Sequence, residues 1–565
     1  MRMSRRPIAV CAAVMVVSAG VMAGTAQQAA AAESYWIAPA GNLTVFGKGY
    51  GHGRGMSQYG AQGAALAGLT SAQILDFYYP DTAAATTSGN IRVHITADTS
   101  PGAYVRPATG LRARSSSTGT TWALPVSSTI SGWIISPYGD HQTRLSYYRT
   151  TTRSWVLWKS MAGMAEFYGA AVTRLVLPTG GEVPYRGTLR VVDRAGTDLD
   201  TVNVLSMDYY LRGVVPKEAI TSWRPAALQA QAVAARTYAA RKRAQSTGDF
   251  DLCDTVACQV YGGYAAEVAS TNDAIVATSN LIRTYGGSPI LAEFSSSNGG
   301  YTAPGGTAYL PAKPDPYDAY AGNGNPNSNW TVSIARATAE AKFGVGTVKL
   351  IVIAQRNGYG TLGGRVLSVD VVGTTGSKTY TGDELRFLLG LKSAWFLFDH
   401  SAITKRWIAI GGDSSPVGSP IGYEWPVVGG TGQAFATGHI YWTSDYGAWE
   451  TFGGFETRYQ QIGGPAHAIG LPIGPRLDGA VVGSVVQRFR NGRIFAADEI
   501  LTEREVYGRI YTAYYGVGLE GGRLGLPTSY QYPVQFSMTA GAQQLFQGGY
   551  INWYASNDTT AVIYR

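Results

Sequence analysis

Three Gly-x-Pro steps near the end of the chain constrain its fold more than any other feature. Gly418-Ser419-Pro420, Gly470-Leu471-Pro472 and Gly525-Leu526-Pro527 recur at spacings of 52 (470−418) and 55 (525−470) residues. Each is followed by a Phe-x-x-Gly, at Phe435 to Gly438, Phe489 to Gly492 and Phe546 to Gly549. An Ile lies two residues beyond each of these glycines: Ile440, Ile494 and Ile551. A period of this size means an array of similar supersecondary units. Residues 405–565 are therefore expected to form an all-β repeat module of three units. Most of Trp442, Phe489 and Trp553 then belong to its core.

At 565 residues the chain is too long for one core, and two to four domains are expected. A boundary is placed near residues 398–406. Charged residues are only 15%, while Gly (72) and Tyr (36) are plentiful, which favours turn-rich β structure with polar, uncharged surfaces. The net charge of +8 suits an anionic partner or serves solubility alone. Nucleic acid is disfavoured. Beyond the first six residues the dense basic cluster is Arg241-Lys242-Arg243. It falls in a last helical turn, where cations suit the helix dipole, and no nucleic-acid-binding signature accompanies it.

Arg2, Arg5 and Arg6 precede an apolar run from Ile8 to about Met22, and small residues end at Ala30-Ala31-Ala32. Residues 1–32 read as a secretory signal, too short and wrongly flanked to span a membrane. The mature chain is expected to be exported, with no integral membrane segment, and extracellular or wall-associated. Cys11 leaves with the signal, so Cys253 and Cys258 remain. Two cysteines this close in an oxidising compartment form a local disulfide. Zinc is the alternative, although two thiolates do not fill a tetrahedral shell and no His is near in sequence.

Glycine occupies every second position from Gly47 to Gly55, around His52. This fits neither a Rossmann fingerprint nor a P-loop. It reads as an extended segment whose bare face lets backbone or a flat ligand approach. Thr70 to Gln73 reads as a capping box, opening a short helix that Pro80 ends. Short strands are expected between Ile91 and Leu177, at Thr188 to Val192, at Val202 to Leu205 and over residues 364–372. Helices are expected from Pro225 to about Ala244, from Asn272 to Arg283 and from Asp383 to Leu389. In the first of these, Leu228, Ala232, Ala235 and Ala239 share one face, and Pro225 suits the first turn.

Val214-Val215-Pro216-Lys217-Glu218 puts one carboxylate just ahead of that Ala-rich helix. Its apolar neighbours raise a carboxyl pKa, as a general acid needs. A helix N-terminus pulls the other way. Asp208, Asp251 and Asp254 are possible second acids for a hydrolase.

The Val-Val-Pro-Lys-Glu run and the following Gln229-Ala230-Gln231-Ala232-Val233-Ala234-Ala235-Arg236-Thr237-Tyr238 resemble the core motif of the SpoIID/LytB family, the stage II sporulation D and amidase-enhancer proteins. Tyr185-Arg186-Gly187, Tyr209 to Gly213, Cys258-Gln259-Val260-Tyr261-Gly262, Phe294 to Gly300 and Thr381 to Arg386 also look like the family. With the His52 segment, the resemblance spans about residues 45–400. It implies a SpoIID-like domain over residues 33–400 that is α+β and β-rich. One departure is order: the Gly-His-Gly segment, residues 45–82, comes first here and last in the family, a circular permutation. The stretch from about Thr99 to Thr179 is also less familiar.

The resemblance implies a peptidoglycan-active protein. Glu218 would be the acid/base of a lytic transglycosylase cleaving between N-acetylmuramic acid and N-acetylglucosamine. His52, Gln58, Tyr59, Arg236, Gln259, Tyr261, Ser295, Ser296 and Ser297 are candidate cleft residues for sugar hydroxyls and acetamido groups. No cofactor is implied. The family's other branch implies a non-catalytic glycan binder that stimulates a cell-wall amidase. The C-terminal units resemble LGFP repeats of actinobacterial cell-wall proteins, which implies binding to a wall polysaccharide; a purely structural wall protein is a third class. A zinc amidase lacks His-Glu-x-x-His here, and a serine hydrolase lacks Gly-x-Ser-x-Gly.

Overall fold

A computed structural model describes residues 32–139, 141–194, 199–498, 502–537 and 539–565. The expected signal, with Cys11, lies outside these residues except for Ala32. Among the described residues no helix is long and apolar enough to cross a membrane.

The chain is α+β and β-rich. Its helices are α1 (Gln58–Leu66), α2 (Ser71–Tyr78), α3 (Met207–Glu218), α4 (Pro225–Gln245), α5 (Ala269–Ala277), α6 (Arg336–Phe343), α7 (Gly382–Leu389), α8 (Ala402–Ala409), α9 (Gly453–Gln461) and α10 (Gly508–Gly516). The capping box at Thr70 and Gln73 forms as read, and α2 ends at Tyr78. The helix expected to reach Arg283 stops at Ala277 instead. Asn280 turns the chain with a φ of 61°, and Leu281–Tyr285 becomes a strand paired with Ala83–Thr86.

Helix α4 is the hub. The face of Leu228, Ala232, Ala235 and Ala239 is buried, but so are Ala227, Ala230, Val233, Ala234 and Ala240. Helices α1, α2, α3 and α5 surround it, so alanine recurs where backbones approach. A larger side chain there costs about 1–3 kcal/mol through overpacking. Of the basic cluster, Arg241 donates to the Pro289 carbonyl and Arg243 to that of Asn90.

A seven-stranded sheet and a six-stranded sheet, both built between residues 90 and 253, share one core with α3 and α4 that includes Val93, Trp133, Phe167 and Leu211. A second core gathers Val45, Phe343, Ile351 and Phe398. It joins the chain's early and late segments. Strand Asn42–Gly47 lies between Trp330–Ala335 and Phe396–Phe398, and Met56–Ser57 pairs in parallel with Phe294–Ser295.

The glycine run between these strands is not extended. Gly49, Gly51, Gly53 and Gly55 have φ of 76°, 102°, 73° and 65°, the left-handed region. What approaches is the chain itself. A Cβ on Gly55 would sit 2.0 Å from the Glu293 carbonyl oxygen, and one on Gly53 2.1 Å from the Arg365 guanidinium.

Each C-terminal unit is a short helix followed by a four-stranded antiparallel meander. The module expected as all-β is thus β-rich, with one helix per unit. The recurrent Gly418, Gly470 and Gly525 all have positive φ, which explains the residue type. A signal absent from the expectations is a buried glutamine two residues before each Phe. Gln433, Gln487 and Gln544 donate to the carbonyls of Gly422, Gly474 and Ser529. Gln487 and Gln544 also donate to Glu450 and Glu505, on the last strand of the preceding unit, at 2.8 and 2.7 Å. Successive units are stitched by this residue. Phe489 is buried, while Trp442 and Trp553 pack at the edges of their cores.

Candidate active site

Glu218 is the last residue of α3, not a residue ahead of α4. Ser206 caps α3 by accepting the Tyr209 N–H, and the helix runs through Gly213 and Pro216. Both are poor helix formers, which hid the element. Gly213 is required because a Cβ there would lie 2.5 Å from the Tyr261 ring. The dipole argument therefore changes sign. At a helix C-terminus the field disfavours an anion and adds to burial.

The Glu218 carboxyl faces a cleft of 480 Å³. Burial pushes its pKa above the usual carboxylic range, opposed by hydrogen bonds from the Val260 N–H and the Gln58 side chain. The Val260 contact is long, 3.3 Å. His52 lines the same cleft. Its Nδ1 accepts the Arg54 N–H at 3.0 Å, which leaves the proton on Nε2. Burial and the Arg54 charge lower its pKa to about 4, so the ring is a neutral donor near pH 7.

Gln58, Gln259, Ser295 and Ser296 also line the cleft. The Gln259 amide is held internally: its oxygen accepts Tyr210 O–H at 3.1 Å and its nitrogen donates to the Ala235 carbonyl. Ser295 Oγ is buried without a hydrogen-bond partner among the described residues.

The other candidates lie elsewhere. Arg236 is fully buried and pairs with Asp208 at 2.9 Å; α4 turns it away from the cleft. Tyr261 is buried in the core, where its hydroxyl donates to Asn203 Oδ1 at 2.8 Å. Tyr59 packs edge-on against Trp223. Ser297 donates to Asp318 at 2.8 Å. The possible second acids are also committed: Asp208 to Arg236, Asp251 to Arg92 and Asp254 to Thr96. None of the three lines the cleft.

Sequence reasoning missed Tyr50, Tyr238 and Glu293, which do line it. Tyr50 sits in the glycine run and Tyr238 ends the Ala-rich motif, so both were within reach of it. Glu293 had no signal. Its two oxygens each accept from the Arg54 guanidinium at 2.8 Å, so this second cleft carboxylate is neutralised.

Cys253 and Cys258 form a disulfide with Cα atoms 5.5 Å apart. The sulfurs hold each other, which leaves no thiolate pair for zinc. Among the described residues no group of three or more His, Cys, Asp or Glu could hold a metal ion. Val256, Ala257 and Cys258 form one wall of the cleft.

Beneath the opposite wall, buried Asp318 organises the serine loop. It accepts from Ser57, Ser297 and Asn325 side chains and from the Asn298 and Gly299 N–H groups. Arg365 reaches in from strand Val366–Gly373's edge and donates to the Gly51 and Asn298 carbonyls, both at 3.2 Å. Two loops far apart in sequence are fixed by one cation and one anion. The result is a polar cleft with aromatic rims and one carboxyl whose pKa burial raises, chemistry suited to a saccharide.

Residues 195–285 match the SpoIID family model, described as stage II sporulation protein. Over 138 residues, 23% of this chain, the sequence is 39% identical to the amidase enhancer of Bacillus subtilis (strain 168), covering 18% of that protein. It is 29% identical over 219 residues to stage II sporulation protein D of the same organism, covering 35% of this chain and 61% of the relative. The corresponding protein of Bacillus amyloliquefaciens is 29% identical over 226 residues, covering 35% and 62%. The matched segment thus spans less than two thirds of each relative. These similarities support a relationship of this part of the chain to the SpoIID family.

Proposed function

We propose that this protein is an exported lytic transglycosylase that cleaves the glycan strands of peptidoglycan. The observation that carries the reading is Glu218 itself: a carboxyl on a saccharide-sized cleft, with its pKa raised by burial. Protonated Glu218 gives its proton to the glycosidic oxygen between N-acetylmuramic acid and N-acetylglucosamine as the C1–O bond breaks. The resulting carboxylate takes the proton from the muramoyl C6 hydroxyl, whose oxygen bonds to C1. A 1,6-anhydro ring forms and Glu218 ends protonated. One carboxyl suffices, whereas glycoside hydrolysis uses two. The pairing of Glu293 with Arg54 favours the single-acid scheme. His52 Nε2–H, Gln58, Tyr50 and Tyr238 orient the sugars.

In this reading residues 45–82 are a circularly permuted part of the SpoIID-like domain of residues 33–400. The interleaving of strands 42–47 and 56–57 with strands from residues 294–398 supports that. Residues 405–565 are three LGFP-like repeats that hold the protein to a wall polysaccharide.

The test is mass spectrometry of purified peptidoglycan, intact and stem-peptide-stripped, treated with wild type and Glu218→Gln. Anhydro-muramoyl products from wild type alone are expected. The similarity to an amidase enhancer favours a second reading, a glycan binder that stimulates a cell-wall amidase. Wall binding without products from either substrate would select it.

A further inference from the structure

The second repeat carries a pocket that its scaffold does not need. A cavity of 290 Å³ lies between the turns of the first unit's sheet and the loops of the second. The first unit contributes Val428 and Tyr446, which are 72% and 45% exposed. The second contributes Leu471, His467, Arg490 and Asn491.

Arg490 is exposed, and among the described residues its guanidinium has neither an ion-pair nor a hydrogen-bond partner. It reaches toward the first unit, near the bare face of Gly429. Arginines with scaffold roles here behave otherwise: Arg406 and Arg458 are each held by both oxygens of a glutamate. His467 Nδ1 accepts the Ile469 N–H at 3.2 Å, so its Nε2 carries the proton. Burial lowers its pKa, which keeps the ring neutral.

The repeat register shows that these residues are not imposed by the fold. The residue after the recurrent Phe is Ala436 in the first unit, Arg490 in the second and Gln547 in the third. The residue three before the recurrent Gly418, Gly470 or Gly525 is Ser415, His467 and Gly522 in turn. Asn491 differs: its side chain ties to the Ala468 carbonyl as Thr437 ties to that of Pro416, so it is scaffold.

We propose that this junction is a binding site for one anionic sugar residue of a wall polymer, bearing a carboxylate or a phosphate. Arg490 supplies the charge, His467 Nε2–H a donor, and the exposed Tyr446 ring with Val428 and Leu471 the apolar surface for a pyranose face. The inference rests on the reading that the repeats hold a wall polysaccharide, and it names the class of sugar.

Affinities of the full chain for methyl glucuronide, glucose 1-phosphate and neutral methyl glucoside test it by NMR titration. Both anionic sugars, or one of them, should bind at least fivefold more tightly than the neutral one. Which one binds identifies the charged group. Arg490→Gln and Tyr446→Ala should each lose at least fivefold. Equal affinity for all three sugars, or no loss in Arg490→Gln, overturns the proposal. Co-sedimentation with purified walls separates the two readings. Wild type that pellets, together with an Arg490→Gln that binds the sugars as wild type does, sinks the pocket and keeps the wall reading. Wild type that fails to pellet yet binds glucuronide through Arg490 does the reverse.

Discussion

The cleft and the repeat array organise their buried polar groups in opposite ways. Around Glu218 the lining residues come from positions as far apart as 50 and 296, and the loops behind them are fixed by Asp318 and Arg365. In the array, a buried glutamine recurs in each unit, and its partners lie in its own unit or in the one before. The first arrangement is non-local and unique. The second is local and repeated. A change in the cleft region therefore spreads through one shared network, whereas a change in the array reaches only nearest neighbours.

Four variants sharpen or break that comparison. The largest effect should be Glu218→Gln, which should lower anhydro-product formation by about 10³-fold, in the range of lost general acid–base catalysis, with wall pelleting intact. Pelleting lost with it would show that the two regions are not separable.

Next, Asp318→Ala leaves five donors, four of them buried, without their carboxylate. It should cost about 3–5 kcal/mol in the stability of the N-terminal region and abolish cleavage. Scanning calorimetry should show the transition of the N-terminal region moving while the repeat transition stays; both moving together contradicts the nearest-neighbour picture.

Third, Cys253→Ser with Cys258→Ser opens the loop that walls the cleft. A loop this short constrains the unfolded chain by about 2 kcal/mol. Denaturant melts under oxidising conditions should show that loss, and product formation should fall with it.

The smallest effect should be a gain. Glu424, in the first repeat, is buried, and burial raises its pKa to about 7, opposed by Ser401 and Arg336. Folding therefore disfavours its ionised form. The cost is absent below the unfolded pKa near 4.5, grows as pH rises toward 7, and is complete above. Glu424→Gln should raise stability by on the order of 1–2 kcal/mol at pH 8 and by nothing at pH 4. An equal gain at both pH values would assign the effect to packing.

The two regions also differed in how far they could be read. The repeat period was legible because one local unit recurs: glycines with positive φ at 418, 470 and 525 and the following Phe and Ile are demanded three times over. The glutamine stitch was equally regular but looked like an ordinary polar strand residue. In the cleft, His52, Gln58, Gln259, Ser295 and Ser296 were legible through motif resemblance. Arg236 and Tyr261 were misplaced because a motif marks residues needed for the fold as readily as those that face a ligand. Glu293 was invisible, since nothing near it in sequence reveals that Arg54 and the glycine run fold over it.

The sequence by itself determined the α4 helix, the repeat array, the α+β class and Glu218 as the carboxyl to watch. Those follow from local spacing, propensity and motif. Only the tertiary structure decided that Glu218 ends a helix rather than preceding one, and that its carboxyl shares one cleft with His52 and Gln58. Only it decided that Asp208, Asp251, Asp254 and Glu293 are bound to other partners. The reason is that burial and charge pairing are set by which distant segments meet, and a carboxyl's chemistry is set by burial and charge.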